Sequence, residues 1–329
     1  MTRLLRIPVA VGLVIVSTGC RDGGLGREAQ LVVVDVASGD RQQLTDGPRS
    51  YSSPSWSPDS RRLAVVASGP ESGVIEVVDA EGTDSRVIVN RRGFIQGVAW
   101  SPSASTLAYV RLREPASWTL ETVEADGSGS RELAAHQSDR VAIVGPSWAP
   151  DSTQVAYAGG DDTFAVPMSG ARPRLLGNDA WSPSWSPNGR LVLLTTRDAL
   201  IAAPVDGKRP VTIVGGLIDA HAAWSPTSNR IAFSGVTVAG DRHYYLNLVT
   251  VGSQRVRRLA SEVVADAPAW SPDGRSLAFA TWDGTIRVVT VASGEERTLT
   301  RLPNGEIRDL AWSPDGRRLA FAARHVTED

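Results

Sequence analysis

Apolar and β-branched positions along this chain fall in short runs separated by clusters of Gly, Pro, Asp and Ser. Leu31–Val36, Ile75–Val78, Leu120–Val123 and Ile286–Val291 are of this kind. Runs of that length bounded by turn formers predict many short strands rather than helices. One apolar stretch is different: Ile7–Val16 is ten residues long, about half of what a bilayer-spanning helix needs.

The runs are organised by a repeat. A tryptophan followed by Ser or Ala, then Pro, a turn and a short apolar run begins at Trp56, Trp100, Trp148, Trp185, Trp224, Trp270 and Trp312. The fullest copies read Trp270-Ser271-Pro272-Asp273-Gly274-Arg275-Ser276-Leu277-Ala278-Phe279 and Trp312-Ser313-Pro314-Asp315-Gly316-Arg317-Arg318-Leu319-Ala320-Phe321. Spacings of 37 to 48 residues match one four-stranded propeller blade. In Ser-Pro-Asp-Gly the proline pre-sets φ, the aspartate bonds nearby backbone and the glycine closes a turn between antiparallel strands. Where Ser60 or Ser152 replaces the glycine, a type I turn stays compatible. Each interval also holds a second hairpin, centred on Gly39, Gly82, Gly127, Gly170, Gly207, Gly252 or Gly294 and followed by a basic and apolar run.

The ends of the chain complete the count. Only 17 residues follow Trp312, too few for a blade, whereas Leu31–Val36, Gly39 and Arg41–Thr45 form an outer hairpin with no tryptophan motif before it. Joined, the fragments make one repeat. The expectation is an all-β, seven-bladed propeller of four-stranded antiparallel blades over residues 30–329. N-terminal outer strands would join C-terminal inner strands, which removes free sheet edges. The Trp-Ser-Pro-Asp-Gly…Leu-Ala-Phe repeats resemble those of the TolB-like, or WD-like, family of propellers. That resemblance implies the fold and an extracytoplasmic setting, and it says little about a reaction.

The chain opens with Arg3 and Arg6, continues through the apolar run, and reaches Ser17-Thr18-Gly19-Cys20. A basic start, a short apolar core and small residues read as an export signal over residues 1–19. Cleavage before a cysteine resembles the bacterial lipoprotein signal, which implies a lipid on Cys20 and a membrane anchor, with residues 20–29 as a flexible tether. Ordinary signal cleavage and an uncleaved segment stay open as alternatives. The expected location is extracytoplasmic, lipid-anchored to a bacterial membrane, periplasmic or on the outer face of the cytoplasmic membrane.

Composition narrows the chemistry. A net charge of −2 without a basic stripe argues against nucleic-acid binding, and a single cysteine gives no disulfide framework. No Gly-x-Ser-x-Gly elbow, His-Glu-x-x-His stretch or cysteine pair is present. His136, His221, His243 and His325 are assigned by the repeat to different blades. No cofactor or metal is expected. The seven motif tryptophans are read as packing between blades.

Function must then sit where the copies differ. Three and four residues before the motif tryptophans, on the innermost strands, stand Gln96, Trp181, His221, Asp266, Arg308 and Asp309. Charge, amide and aromatic groups around one channel mouth suit a small polar ligand or a peptide segment of an envelope protein. A water-filled channel lined by whatever keeps it polar is the plainer alternative. The leading expectation is a monomeric, non-enzymatic binding or scaffold protein; the alternatives are a lyase or hydrolase with its site at the mouth, or a ligand-sensing propeller.

Overall fold

The computed structural model describes residues 28–69, 72–103, 105–113, 117–137, 145–236, 243–253 and 255–325. The export signal expected over residues 1–19, and Cys20, lie outside the described residues. Seven four-stranded antiparallel sheets make seven blades, and no helix occurs among the described residues. The innermost strands are Ser50–Trp56, Phe94–Trp100, Ser147–Trp148, Trp181–Trp185, Ile218–Trp224, Ala269–Trp270 and Gly305–Trp312, in blades one to seven. Their motif tryptophans stand at the strand ends, immediately before the turns, which therefore share one face of the ring; the channel mouth lies on the other.

Blade seven closes the ring as expected. Its inner pair, Gly305–Trp312 and Arg318–His325, is completed by Gln30–Asp35 and Arg41–Gln43. Gln30 lies opposite Ala323 and Asp35 opposite Arg318, beside the turn, so the chain enters the ring from the mouth face.

Turn chemistry follows the sequence closely. Ser57, Ser186, Ser225, Ser271 and Ser313 each accept a backbone N–H from five residues on. Ser60 donates its N–H to the Ser57 carbonyl at 2.9 Å while holding φ at +60°, so serine occupies the left-handed position that glycine takes in the full motif. Ser152, also at φ +60°, accepts at its hydroxyl oxygen from the Ser101 and Ser103 hydroxyls of the neighbouring blade at 2.8 and 2.7 Å.

The core is distributed. Seven apolar clusters occupy the seven seams between blades, one each. The motif tryptophans do more than pack. Trp56, Trp148, Trp224, Trp270 and Trp312 each donate the indole N–H to the carbonyl just before the motif tryptophan of the preceding blade, at 2.9–3.1 Å. A second ring of links runs outside. Arg131, Arg257 and Arg297 share one outer-strand register and donate to the carbonyls of Met168, Val291 and Val36, the first residue after the third strand of the next blade. Gln42 of blade seven stands in the same register and reaches Glu81 of blade one at 2.6 Å. Three of the seven basic and apolar runs of the sequence thus carry an interblade arginine clip. Arg258, from the same run as Arg257, lies over the Tyr245 ring at 3.4 Å.

One assignment needs correction. His221 and His243 both belong to blade five, in its inner strand and just ahead of its third strand Tyr244–Thr250. The long interval between Trp224 and Trp270 hid this, because the hairpin length within a blade varies.

Candidate functional site at the channel mouth

The inner strands are regular near their tryptophans and irregular three or four residues earlier. Ladder register breaks between Ser52 and Ser55, Ile95 and Val98, Trp181 and Ser184, Ile218 and His221, and Arg308 and Ala311. At three of these bulges a non-glycine residue takes a left-handed φ: Ser53 +53°, Ser182 +52° and Asp309 +57°. A bulge frees a backbone N–H from the sheet and turns it towards a neighbour.

Two carboxylates use these freed donors. Asp309 of blade seven accepts the Ser53 N–H of blade one at 2.9 Å. Asp266, four residues before Trp270 in blade six, accepts the Asp309 N–H at 2.6 Å and the Ala267 N–H at 2.7 Å. The Asp266 carbonyl in turn accepts the Ser234 hydroxyl of blade five at 2.7 Å. A chain of hydrogen bonds thus runs along the channel wall from blade five through six and seven to blade one.

The electrostatics of the pair are unusual for surface aspartates. Burial pushes the Asp309 carboxyl up to about 6, and the neighbouring Asp266 charge adds to it. Burial also raises Asp266; its backbone hydrogen bonds and the charges of His221 and Arg308 oppose the rise. Two carboxylates so placed do not ionise independently, and the pair retains a proton more readily than free aspartates do.

The six residues read from the sequence are therefore only partly gathered. Asp266 and Asp309 form the pair, with His221 and Arg308 within electrostatic reach. Arg308 itself pairs with Glu306, at 2.5 Å, near the exposed rim. Gln96 is elsewhere on the ring: its Oε1 is buried without a hydrogen-bond partner. Beside it Gly97 packs so tightly that a Cβ there would lie 2.5 Å from the Gly145 Cα. Trp181 opens the inner strand of blade four opposite Thr195, and no contact found here joins it to the carboxylates. Among the described residues, no group of three or more His, Cys, Asp or Glu could hold a metal ion.

Sequence reading missed a second charged centre. Glu121, 4% exposed in the third strand of blade two, accepts from Tyr109 at 2.6 Å, Arg111 at 2.9 Å, Arg113 at 2.8 Å and Thr119 at 3.0 Å. Its carboxyl is affected most by burial, which raises it, yet these donors prevail and hold it at about 2. The alternation of Tyr109, Arg111 and Arg113 on one strand face was the available signal. A groove of about 560 Å³ lies away from both centres, on the turn face between blades six and seven, beside Asp273, Glu296, Arg297 and Asp315. Its arginine is already committed to Val36, and nothing converges there.

With this geometry in hand, likeness to known proteins can be weighed. A family model described as the TolB beta propeller domain matches residues 25–202. The chain belongs to that family. A WD domain, G-beta repeat model matches residues 253–289. The Tol-Pal system protein TolB of Anaeromyxobacter dehalogenans (strain 2CP-C) is 32% identical over 121 residues, which is 36% of this chain and 26% of that protein. The chain thus spans about a quarter of the length of that relative. Among solved structures, TolB from Acinetobacter baumannii superposes with a TM-score of 0.55 at 16% identity, over 81% of this chain and 64% of that one. The oligogalacturonate lyase of Vibrio parahaemolyticus superposes with a TM-score of 0.67 at 10% identity, over 91% and 98%. At such identities the likeness is one of fold.

Proposed function

We propose that this TolB-family propeller is a non-enzymatic binding protein of the bacterial cell envelope, held to a membrane by a lipid on Cys20. It receives a segment of an envelope protein, or a small polar ligand, at its channel mouth. The observation that carries this reading is the Asp266–Asp309 pair, with His221 and Arg308 beside it, set into the wall where the blades differ. Carboxyl groups of mixed protonation next to two basic side chains can both donate and accept, which favours a ligand rich in hydrogen-bonding groups. Gln30 enters the ring from the mouth face, so an anchor on Cys20 would hold the ring by the side on which the site lies. The Tol-Pal name of the curated relative supports an envelope setting.

The test is capture from solubilised envelope with the full chain and with Trp181→Ala/Arg308→Ala. Asp266 is kept in that variant, since its carboxylate satisfies two backbone donors. Loss of specific partners at unchanged thermal stability supports the reading, and unchanged capture sinks the mouth as the site. Mass spectrometry of the N-terminal peptide from the same sample checks for acylation of Cys20.

A second reading rests on the same pair. A carboxyl titrating near 6 beside a second acid is suited to proton transfer, as a lyase or hydrolase at the mouth would need. Turnover of an acidic oligosaccharide or an ester panel, abolished in Asp309→Asn, would favour it over simple binding.

A further inference from the structure

The seams between blades are not equally built. Around blade seven, where the chain ends meet, links accumulate. Trp56 and Trp312 donate across its two seams, to Ala311 and Ala269. Arg297, Gln42 and Arg318 reach the carbonyls of Val36, Glu81 and Ala80. The Asp266–Asp309–Ser53 chain crosses both seams inside the channel.

The seam between blades three and four lacks these links. Trp185 is in the register of the other motif tryptophans, where the Ser147 carbonyl would be its acceptor, yet its buried Nε1 has no hydrogen-bond partner. Arg174 is in the register of Arg131, Arg257 and Arg297, where the Val205 carbonyl would be its acceptor, yet its buried Nη2 also has none. The apolar filling is thin as well. Five of the nine core residues found in this seam are alanine: Ala149, Ala156, Ala165, Ala180 and Ala203. In the other seams alanine reaches at most four of thirteen. Alanine removes less apolar surface from water than the Leu, Ile and Phe of the neighbouring seam, and a buried donor without a partner is a cost. The cross-seam bonds that are kept run from the Trp185 backbone N–H to the Ser147 hydroxyl at 3.0 Å and, just ahead of the inner strand of blade four, from the Thr163 hydroxyl to the Ala180 carbonyl at 2.6 Å and from the Ala180 N–H to the Asp161 carbonyl at 2.8 Å.

We infer that the ring yields first between blades three and four, rather than at the blade where its two chain ends join. The seam reaches the channel at Trp181–Trp185, so parting it moves Trp181 and reshapes the mouth. Closure by strands from both termini creates a weak point in a propeller by default; here that point is reinforced and flexibility is left almost opposite.

Native-state hydrogen exchange on the full chain tests this. The second strands flanking the seam, Gln154–Gly159 and Leu191–Thr195, are expected to exchange at least about tenfold faster than Ser276–Ala280 and Arg318–His325 of blades six and seven. A smaller difference, or faster exchange in blade seven, overturns the inference. Paired indole deletions give a second measurement. Trp185→Phe removes an N–H that bonds nothing, so it should lower Tm by less than half the drop in Trp270→Phe or Trp56→Phe; a drop of half or more overturns it.

Discussion

Replacing Asp309 by asparagine separates the charge of the channel pair from its shape. The amide oxygen can still accept the Ser53 N–H, which the carboxylate holds at 2.9 Å, while the charge disappears. The folded carboxyl titrates at about 6 against 3.8 in its reference state. Its pKa is therefore raised on folding. The stabilisation from binding this proton is complete below the reference value and is lost as pH rises through 6. A rise of about two pK units corresponds to roughly 3 kcal/mol between the protonated and ionised limits. Exchanging a charge-assisted acceptor for a neutral one gives back about 1 kcal/mol. The variant should thus be more stable than the parent by about 1–2 kcal/mol at pH 8, and nearly equal to it at pH 4.5. Urea midpoints followed by tryptophan fluorescence across that range supply the comparison. A gap that does not grow with pH, or a variant less stable at pH 8, would refute the assigned ionisation.

Other perturbations address the remaining structure. Glu121→Ala leaves Arg111, 11% exposed at its side chain, without its carboxylate; a loss of about 3–5 kcal/mol is expected from broken buried pairs, measured by denaturant unfolding. Because the Glu121 carboxyl is held at about 2, its contribution is present above the ordinary carboxylate range and should fade as pH falls towards 2, seen as a parent–variant gap that narrows in acid. Gly284 has φ +74°, and a Cβ there would sit 2.2 Å from the Leu302 carbonyl oxygen. Gly284→Ala should therefore lower Tm by several degrees, whereas Gly207→Ala, with φ +84° but open space around it, should show only the backbone cost of about 1 kcal/mol.

How much of this was legible before the fold was known depended on whether a signal repeats. Trp56 to Trp312 and the Ser-Pro-Asp-Gly turns recur at one register, so blade number, strand order and closure could be counted from the sequence. The indole bonds were not legible, since their acceptors are backbone carbonyls some forty residues away. The arginine clips are visible as basic runs, but only the pairing of Arg131, Arg257 and Arg297 with equivalent third-strand positions shows that they face the next blade. At the mouth, the guide was residue type at a fixed distance before each motif tryptophan. It named Asp266 and Asp309, which the structure joins through the Asp309 N–H, and grouped with them Gln96, whose Oε1 is buried without a hydrogen-bond partner beside the close Gly97–Gly145 approach.

Variation between repeats then has more than one physical meaning. The third-strand position held by Glu121 in blade two is Glu76 in blade one, Phe164 in blade three, Ile201 in blade four, Asn247 in blade five and Arg287 in blade six. Glu76 accepts from Tyr51 at 3.3 Å, and with burial it raises the Tyr51 hydroxyl; Glu121 gathers four donors, Tyr109, Arg111, Arg113 and Thr119, from one sheet face. In blade three Tyr157 stands where Tyr109 stands in blade two, but Phe164 faces it and its buried hydroxyl has no partner. Burial alone pushes that hydroxyl up to about 12. Divergence here altered how each seam is held, strongly in blade two and weakly in blade three, without opening any group to a ligand. Divergence on the inner strand is of another kind, because the bulge of blade seven frees the Asp309 N–H for Asp266 while the Asp309 carboxylate takes the Ser53 N–H. A departure from the repeat consequently points to function only where the backbone has left the ladder. In blade seven that condition is met by Asp309, which sits in the register break between Arg308 and Ala311 and donates its N–H to Asp266.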